Sequence, residues 1–259
     1  MTEELLYDKR GDVAWVTFNR PQARNALTFA MYQGLAEICR RIGTTHEVKA
    51  LVITGAGDKA FAAGTDIAQF RDFKNGEDGI AYERKMDRTL ETIERCPVPT
   101  IAAVAGFCTG GGAAIAAVCD FRIASASAQF GFPIARTLGN CLSMSNYARL
   151  AALIGPQRVK EMMLLARLFD APTALQVGLV SEVLADVPAL QARAEALANT
   201  LAGHAPITMA VTKEALRRLQ AKMGEENIDD LIRHTYGSAD FREGMTAFLE
   251  KRPPRWTGT

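Results

Sequence analysis

Three consecutive glycines, Gly110-Gly111-Gly112, stand between two apolar segments of the chain. The first segment, residues 100–105, predicts a buried strand, and the second predicts a helix over residues 110–118. Residues without a Cβ atom let the chain turn from strand to helix with very close backbone packing. The free amides and the partial positive charge at the start of such a helix suit a negatively charged oxygen.

A unit of two strands followed by a helix recurs over the first 185 residues of the chain. The helix predicted after Thr28 has an apolar face that runs from Met31 to Ile42, and Asp66 is predicted to cap a second, short helix. The other predicted elements are a hairpin of residues 5–7 and 13–18, a buried strand at 48–54, a charged helix at 82–95, and strands at 121–124 and 129–132.

The pattern changes after residue 187. The helices predicted there cover residues 189–201, 207–219, 225–236 and 241–250. We therefore expect an α/β core at residues 1–187 and a helical segment linked to oligomerisation at residues 188–259. Residues 71–80 are polar and contain glycine, which predicts a mobile segment within the core.

Composition and charge exclude several classes of function. The apolar fraction is 48%, the charged fraction is 23% and the formal net charge is +1, so no strong field attracts nucleic acid or an anionic membrane. The acidic first residues do not form a signal peptide, and no apolar run is long enough to span a bilayer. Five cysteines without a C-x-x-C pair predict buried, reduced thiols and hence a cytoplasmic protein.

Two familiar site patterns are incomplete. The segment Gly55-Ala56-Gly57-Asp58-Lys59-Ala60 matches the dinucleotide-binding pattern G-x-G-x-x-G/A, but a loop follows where that pattern requires a long helix. The three histidines, His46, His204 and His234, are scattered along the chain, which argues against a metal site or a histidine triad.

A pair of glycine-rich loops is the strongest remaining feature. Residues 59–66 and residues 105–112 each follow a buried strand. Alone, either loop is explained by small residues that let a strand and a helix pack closely. Together, two backbone donors that face one acceptor would form an oxyanion hole, in which each donor contributes about 3 kcal/mol of transition-state stabilisation.

Segments spread over almost the full length of the chain carry a resemblance to a known family. They are residues 18–21, 24–27, 60–66, 99–106, 110–112, 119–120, 178–180 and 241–252. In this order they resemble the crotonase, or enoyl-CoA hydratase/isomerase, superfamily. The resemblance implies an α/β fold, the crotonase (ClpP-like) spiral of ββα units with a C-terminal helical segment, assembled as a homotrimer or a dimer of trimers.

The resemblance also implies how a substrate binds. The N–H groups of Thr65 and Gly111 are expected to hold the thioester carbonyl of an acyl-CoA. Coenzyme A is then part of the substrate, and no tightly bound cofactor is implied. The residues expected to border it are Ala23, Arg24, Ala26, Ala60, Ala62, Ala63 and Gly64, with the adenine near Ala62 and a phosphate within reach of Lys251.

Two positions depart from the family pattern. Hydratases of this family carry two glutamates that position water and a proton, and the matching residues here are Ala114 and Ile134. No Asp or Glu occurs between Gln129 and Leu153, so a local shift of the alignment does not restore the second carboxylate. General acid–base groups contribute about 10²- to 10⁴-fold each, and we therefore expect ordinary hydration to be severely impaired.

Several residues are candidates for the missing chemistry. Arg136 and Asn140 lie in a polar stretch that either lines the acyl pocket or caps and solvates a helix. Cys141 is a less favoured nucleophile, because no histidine lies near it in the sequence. Further candidates, unless they only form a solvated face, are the charged residues Glu83, Arg84, Lys85, Asp87 and Arg88.

Two hypotheses of different class follow for the function. The first is an enzyme of the lyase or isomerase kind whose chemistry is centred on an enolate and does not need the glutamate pair. Decarboxylation is an example, because loss of CO₂ generates the enolate directly and depends on the oxyanion hole more than on a base. Thioester cleavage is another. The second hypothesis is a non-catalytic or nearly inactive paralogue that still binds acyl-CoA.

Overall fold

The fold of the protein is given by a computed structural model that describes residues 3–45 and 47–259. His46 lies outside these residues. The described chain forms two sheets covered by helices, and most strands occur as consecutive pairs.

The strands differ in length and are divided between the two sheets. In chain order they are β1 (Leu5–Arg10), β2 (Val13–Phe18), β3 (Ala50–Gly55), β4 (Ala60–Ala62), β5 (Thr100–Val104), β6 (Phe107–Thr109), β7 (Phe121–Ser125), β8 (Gln129–Gly131), β9 (Phe169–Asp170) and β10 (Glu182–Leu184). The first sheet has the order β1-β2-β3-β5-β7-β10, and the second has the order β4-β6-β8-β9. β1 and β2 form the predicted antiparallel hairpin.

Each central strand of the first sheet is followed directly by a short strand of the second. β4 follows β3, β6 follows β5 and β8 follows β7, and helical structure follows each pair. β3 and β5 are buried along their whole length, as expected for continuous apolar strands in a parallel sheet covered on both faces. This arrangement confirms the predicted spiral of ββα units.

The helices cover both sheets. In chain order they are α1 (Phe29–Thr45), α2 (Gly76–Glu94), α3 (Gly111–Val118), α4 (Ile134–Thr137), α5 (Met144–Leu164), α6 (Ala171–Gln176), α7 (Val187–Ala202), α8 (Pro206–Ala221), α9 (Asp229–Gly237) and α10 (Ala239–Leu249). α5 is kinked, because Gly155 has a φ of 74° and Pro156 follows it. α7 packs on β3, β5 and β7, and α9 packs on α2. No helix of the described ranges is both long and apolar enough to cross a bilayer.

Most of the predicted elements are confirmed. α1 buries its predicted apolar face, and the Asp66 carboxylate accepts a hydrogen bond from the Ala68 N–H at the start of a short 3₁₀ helix. The helices predicted beyond residue 188 match α7 to α10, although α9 begins only at Asp229. The division of the chain at residue 187 stays a prediction.

Residues 71–80, which are predicted to be mobile, are helical in their second half, and their mobility stays a prediction. Residues from Gly76 onward belong to α2, whose first turn is closed by a capping box between Asn75 and Asp78. This polar, glycine-containing stretch is helical because its side chains satisfy backbone amides that the first turn leaves free.

Candidate active site

The second sheet brings the predicted site residues to one edge. β4, β6 and β8 are parallel, so their carboxyl ends lie on the same side of the sheet. Thr65 follows β4, Gly111 follows β6 and Ile134 follows β8. Ala114 lies in the first turn of α3, where its N–H donates to the Gly110 carbonyl oxygen at 2.9 Å.

The amides of Thr65 and Gly111 are both free. Within the described ranges, neither N–H donates a hydrogen bond. Gly111 is the first residue of α3, and the amides of a first helical turn have no partner inside the helix. A Cβ atom built on Gly111 would lie 3.1 Å from the Thr65 Oγ1 atom, so the two residues are neighbours. Two residues with free amides and the positive end of a helix therefore lie close together.

Close packing explains why glycine occupies the loop before α3. Gly110 has a φ of 51°, and its N–H donates to the Gly131 carbonyl oxygen at 3.0 Å. A Cβ atom on Gly112 would lie only 2.2 Å from the Ala62 carbonyl oxygen. The glycines thus permit the contact between β4 and α3, and the same contact brings the two free amides together.

Two tyrosines, Tyr32, which is buried, and Tyr82, which is partly buried, complete this corner of the site. The hydroxyl oxygens of Tyr32 and Tyr82 lie 2.9 Å and 3.0 Å from the Thr65 Oγ1 atom. A Cβ atom on Gly111 would lie 1.8 Å from the Tyr32 hydroxyl oxygen, so only glycine fits there. Burial raises the pKa of both phenols, and they remain protonated hydrogen-bond donors at ordinary pH.

Ala114 and Ile134 offer no group for proton transfer. Both are buried among the apolar residues of the core. Because neither side chain carries a polar atom, these two positions cannot hold a water molecule between carboxylates. The part of the chain that the structure describes also has no cluster of three His, Cys, Asp or Glu side chains that could hold a metal ion.

A buried carboxyl group lies next to Tyr82 on α2. Glu83 is only 3% exposed. The Tyr236 hydroxyl donates to its Oε1 atom at 2.6 Å, and the Ser143 N–H donates to its Oε2 atom at 3.0 Å. Burial raises the pKa of Glu83 to about 8, and the charge of Asp87 adds to the increase. Glu83 is therefore neutral in most molecules at pH 7.

The other charged candidates on α2 are not enclosed in this way. Arg84 and Arg88 are exposed, as the solvated-face explanation expects. The Lys85 ammonium lies over the Phe29 ring, 4.4 Å from the centre of that ring. Asp87 is partly buried and accepts a hydrogen bond from the Ser143 hydroxyl at 2.7 Å.

The polar stretch after α4 has mixed surroundings. The Asn140 Nδ2 atom donates to the Tyr236 hydroxyl at 3.2 Å, and its Oδ1 atom is buried without a partner among the described residues. Arg136 is exposed on α4. Burial raises the pKa of Cys141 to about 12, which argues against a thiolate nucleophile. Ser143 caps α5, so only part of the stretch fits the capping explanation.

The two segments predicted to border coenzyme A, residues 23–26 and 60–64, are hydrogen-bonded to each other. The Ala63 N–H donates to the Arg24 carbonyl oxygen at 3.0 Å. The Asn25 side chain is fully buried and donates to the Ala60 carbonyl oxygen at 2.7 Å. The predicted border is thus one connected edge, whereas Lys251 is an exposed residue just beyond α10.

Sequence reasoning misses the three tyrosines of the site. Tyr32 and Tyr82 lie on the helices predicted for α1 and α2 but carry no pattern that separates them from core residues. Tyr236 belongs to the helical segment, and its partner Glu83 lies 153 residues earlier in the chain. Glu83 is the one residue of this group that the sequence does name, as a charged residue of α2.

The chain is similar to known proteins of one family. The chain matches the family model "Enoyl-CoA hydratase/isomerase" over residues 8–259. It is 35% identical to a short-chain-enoyl-CoA hydratase of Clostridium acetobutylicum over 256 residues, which cover 96% of this chain and 95% of that protein.

Solved structures with the same fold cover the whole chain. An enoyl-CoA hydratase/carnithine racemase from Magnetospirillum magneticum has a TM-score of 0.80 and 33% identity, and the match covers 100% of this chain and 97% of that one. A methylmalonyl-CoA decarboxylase in complex with 2-nitronate-propionyl-CoA has a TM-score of 0.90 and 28% identity, with 100% of both chains covered.

The predicted fold class is thereby confirmed, and it is the crotonase fold. With a family match that begins at residue 8 and runs to residue 259, the chain belongs to the enoyl-CoA hydratase/isomerase family.

Proposed function

We propose that this protein is an enzyme that binds an acyl-CoA thioester and stabilises the enolate of its acyl group. The observation that carries the proposal is the pair of free N–H groups of Thr65 and Gly111. A thioester enolate concentrates negative charge on one oxygen, and two fixed donors lower its energy more than that of the neutral thioester. The hydroxyl groups of Tyr32 and Tyr82 border the same place through their hydrogen bonds with the Thr65 hydroxyl.

Coenzyme A is part of the substrate in this proposal. Proteins of the family act on CoA thioesters. Residues 23–26 and 60–64 border the coenzyme, the adenine lies near Ala62, and Lys251 binds a phosphate. The hydrogen bonds that join the two segments support this assignment, because a pre-formed edge loses little conformational freedom on binding.

An enolate reaction without the glutamate pair is the class of reaction that fits best. Ala114 and Ile134 leave no carboxylates to position water, so ordinary hydration of an enoyl-CoA is disfavoured. Decarboxylation is favoured, because the departing CO₂ leaves its electron pair in the enolate that the amides hold. The similarity to a methylmalonyl-CoA decarboxylase, with a TM-score of 0.90, supports it. In that reaction Arg136 is available to pair with the substrate carboxylate. Thioester cleavage is a second reaction that fits the amides, because its tetrahedral intermediate also carries negative charge on the oxygen that they hold.

A non-catalytic acyl-CoA-binding paralogue is the alternative of a different class. The observation that favours it is the burial of apolar side chains at both positions where hydratases of the family carry glutamates, Ala114 and Ile134. Such a protein would keep the binding edge and the free amides but turn over no thioester.

Release of CO₂ from malonyl-CoA and methylmalonyl-CoA tests the proposal, with hydration of crotonyl-CoA measured in parallel. We expect turnover of at least one carboxyacyl-CoA. Hydration of crotonyl-CoA should be slower than this turnover by about 10²-fold or more. Calorimetric titration with acetyl-CoA measures binding on its own. Binding without any turnover would favour the paralogue, and absence of binding to every thioester would contradict both functions.

We propose further that the protein is a homotrimer or a dimer of trimers. α8 carries exposed apolar side chains, among them Ile207, which is 78% exposed, together with Val211, Leu216 and Leu219. A run of exposed apolar residues on one helix favours a protein contact. Light scattering after gel filtration should give three or six times the chain mass of 28.1 kDa. A monomer would contradict this part of the proposal.

A further inference from the structure

We propose that Glu83 is the proton-transferring carboxyl group of this site and that Tyr236 positions it. The proposal rests on the thioester chemistry proposed above and names the group that moves the proton. A carboxyl group on α2 would then supply the chemistry for which positions 114 and 134 carry no carboxylate. Three observations carry it. Glu83 is enclosed, it follows Tyr82, whose hydroxyl contacts Thr65, and its hydrogen-bond network fits both of its protonation states.

Three elements meet at the Glu83 carboxyl group, and none of them brings a cation. α2 carries the group, Tyr236 of α9 donates to one oxygen, and the Ser143 N–H before α5 donates to the other. Within residues 3–45 and 47–259, no lysine or arginine forms a salt bridge with Glu83, and the buried Arg149 pairs with Glu94 instead. A buried carboxyl group that serves only the fold is normally paired with a cation. An enclosed carboxyl group without one is typical of a site of proton transfer.

Tyr82 connects this carboxyl group to the free amides. It precedes Glu83 in the chain, and its hydroxyl oxygen lies 3.0 Å from the Thr65 Oγ1 atom. The centre of its ring lies 6.2 Å from that of Tyr236. The charge of Glu83 also contributes to the raised pKa of Tyr32, which borders Gly111. These contacts place Glu83 one residue from the tyrosine that contacts Thr65, and the proposal puts the acyl group of the substrate next to both residues.

The hydrogen bonds around Glu83 fit both protonation states. With Glu83 ionised, the carboxylate accepts from the Tyr236 hydroxyl, which accepts from the Asn140 Nδ2 atom. With Glu83 neutral, its O–H donates to the Tyr236 oxygen, and the Tyr236 hydroxyl needs an acceptor. The Asn140 Oδ1 atom, buried without a partner among the described residues, becomes that acceptor once the side-chain amide turns over. The network thus gives both Glu83 and the Tyr236 hydroxyl a hydrogen-bond partner in either protonation state.

The step is a proton transfer at the carbon next to the thioester carbonyl. The Glu83 carboxylate takes the proton, the C–H electron pair forms a C=C bond, and the carbonyl π pair moves to the oxygen held by Thr65 and Gly111. In reverse, neutral Glu83 returns the proton to carbon. After loss of CO₂, this return converts the enolate to product, and a proton from water then restores the neutral carboxyl group.

Exchange of the α-hydrogens of propionyl-CoA for deuterium in D₂O isolates this step. Propionyl-CoA has no carboxylate to lose, so exchange followed by NMR reports proton transfer alone. We expect Glu83→Gln to lower the exchange rate about 10²- to 10⁴-fold with an unchanged affinity for propionyl-CoA. Glu91→Gln is the matched control on the same helix, because Glu91 is half-exposed and pairs with Arg95. It should exchange at the wild-type rate.

The pH profile separates proton transfer from a structural role. Wild-type exchange should rise with pH as Glu83 ionises, with a midpoint near its pKa of about 8, and the Glu83→Gln profile should be flat. Tyr236→Phe removes a donor to the carboxylate and should move the midpoint to higher pH. Asp87→Asn removes a like charge and should move the midpoint to lower pH.

The surroundings of Glu83 contain several other titratable groups. They are Tyr82 and Asp87 on α2, Tyr32 on α1, Cys141 and Tyr147 around the start of α5, and Tyr236 on α9. Arg149 pairs with Asp87 and not with Glu83.

Two results would overturn the proposal while the proposed function stands. One is a folded Glu83→Gln protein that exchanges at the wild-type rate, and the other is a wild-type protein that binds propionyl-CoA without exchanging α-hydrogens. If no CoA thioester binds, the proposed function fails and this proposal falls with it. If Glu83→Gln does not fold, Tyr236→Phe decides, since an unchanged midpoint would contradict the role given to both residues.

Discussion

The two walls of the proposed site are made of different groups. The loop wall, residues 63–66 and 109–112, presents backbone amides and small side chains. The helix wall, formed by Tyr82 and Glu83 of α2 with Tyr236 of α9, presents hydroxyl and carboxyl groups. In our proposals the loop wall stabilises negative charge, and the helix wall transfers the proton.

The difference between the two walls shows which part of the site can change as members of the family diverge in sequence. The loop wall is held by contacts between backbones, so an added Cβ atom at Gly111 or Gly112 has no room. The helix wall is held by side chains, and a substitution there changes the chemistry while the backbone stays. A family member can therefore keep the charge-stabilising wall and move the proton-transferring group to another element.

Apart from Glu83→Gln, the largest effect is expected from Gly111→Ala, which alters the loop wall. The new Cβ atom would lie 1.8 Å from the Tyr32 hydroxyl oxygen and displace the amide beside it. Loss of one donor to an oxyanion lowers kcat by about 10³-fold, and we expect that loss in the thioester reaction. Adding Tyr32→Phe removes the hydroxyl and should restore part of the activity.

Gly43→Ala is the matched control for this substitution. Its Cβ atom would meet the Pro97 side chain at 3.5 Å, an ordinary contact, so activity should not change. Wild-type activity in Gly111→Ala would show that the loop wall does not hold the reacting oxygen.

The next largest effect concerns stability and the helix wall. Burial raises the pKa of Glu83 to about 8 in the folded protein, from an ordinary value of 4.5 that the unfolded chain keeps. Between these values the folded state holds a proton that the unfolded state has lost, so this contribution to stability falls as pH rises. From pH 5 to pH 7 the free energy of unfolding of the wild type should fall by up to about 3 kcal/mol more than that of Glu83→Gln. Urea unfolding at both pH values measures the difference, and parallel losses would contradict an enclosed, neutral Glu83.

A gain of function tests whether the missing carboxylates matter. Ala114→Glu combined with Ile134→Glu should raise hydration of crotonyl-CoA by about 10²-fold, because acid–base groups of this kind contribute at least that much. The matched control replaces both residues with Gln, which adds bulk without a carboxylate and should give no gain. Fast hydration by the wild type would refute our claim that positions 114 and 134 limit this reaction.

The smallest effect is expected at the coenzyme end. Lys251→Ala should weaken binding of acetyl-CoA about three-fold, because an exposed ion pair contributes at most about 1 kcal/mol. The loss should shrink as salt is added. Lys160→Ala, an exposed lysine on α5, is the control. Equal affinities for all three proteins would remove Lys251 from the binding edge.

The two walls also differ in how far the sequence predicts them. The loops of the loop wall follow buried apolar strands and are rich in glycine, and both features are local patterns. Even there, β4 and β6 are missed, because a strand of three residues is too short to show an alternation. The assignment of Thr65 and Gly111 within these loops depends on the family resemblance.

The helix wall depends on contacts that no local pattern contains. Tyr236 reaches Glu83 only because α9 packs on α2, across 153 residues of sequence. A tyrosine on a helix face has the same local pattern whether its hydroxyl meets solvent or a buried carboxyl group. The sequence therefore supplies Glu83 as one of several charged candidates, and only the packing of α2 separates it from its neighbours.

The short strands of the second sheet have a consequence for motion. β4 and β6 lead into the loops that carry the Thr65 and Gly111 amides, and their pairing joins Ala60 to Phe107 and Ala62 to Cys108. Such a small sheet can open locally while the longer β3 and β5 remain paired. We therefore expect amide hydrogens of β4 and β6 to exchange with solvent faster than those of β3 and β5, and a bound acyl-CoA to slow them. The lifetime of the assembled site is then shorter than that of the fold that carries it.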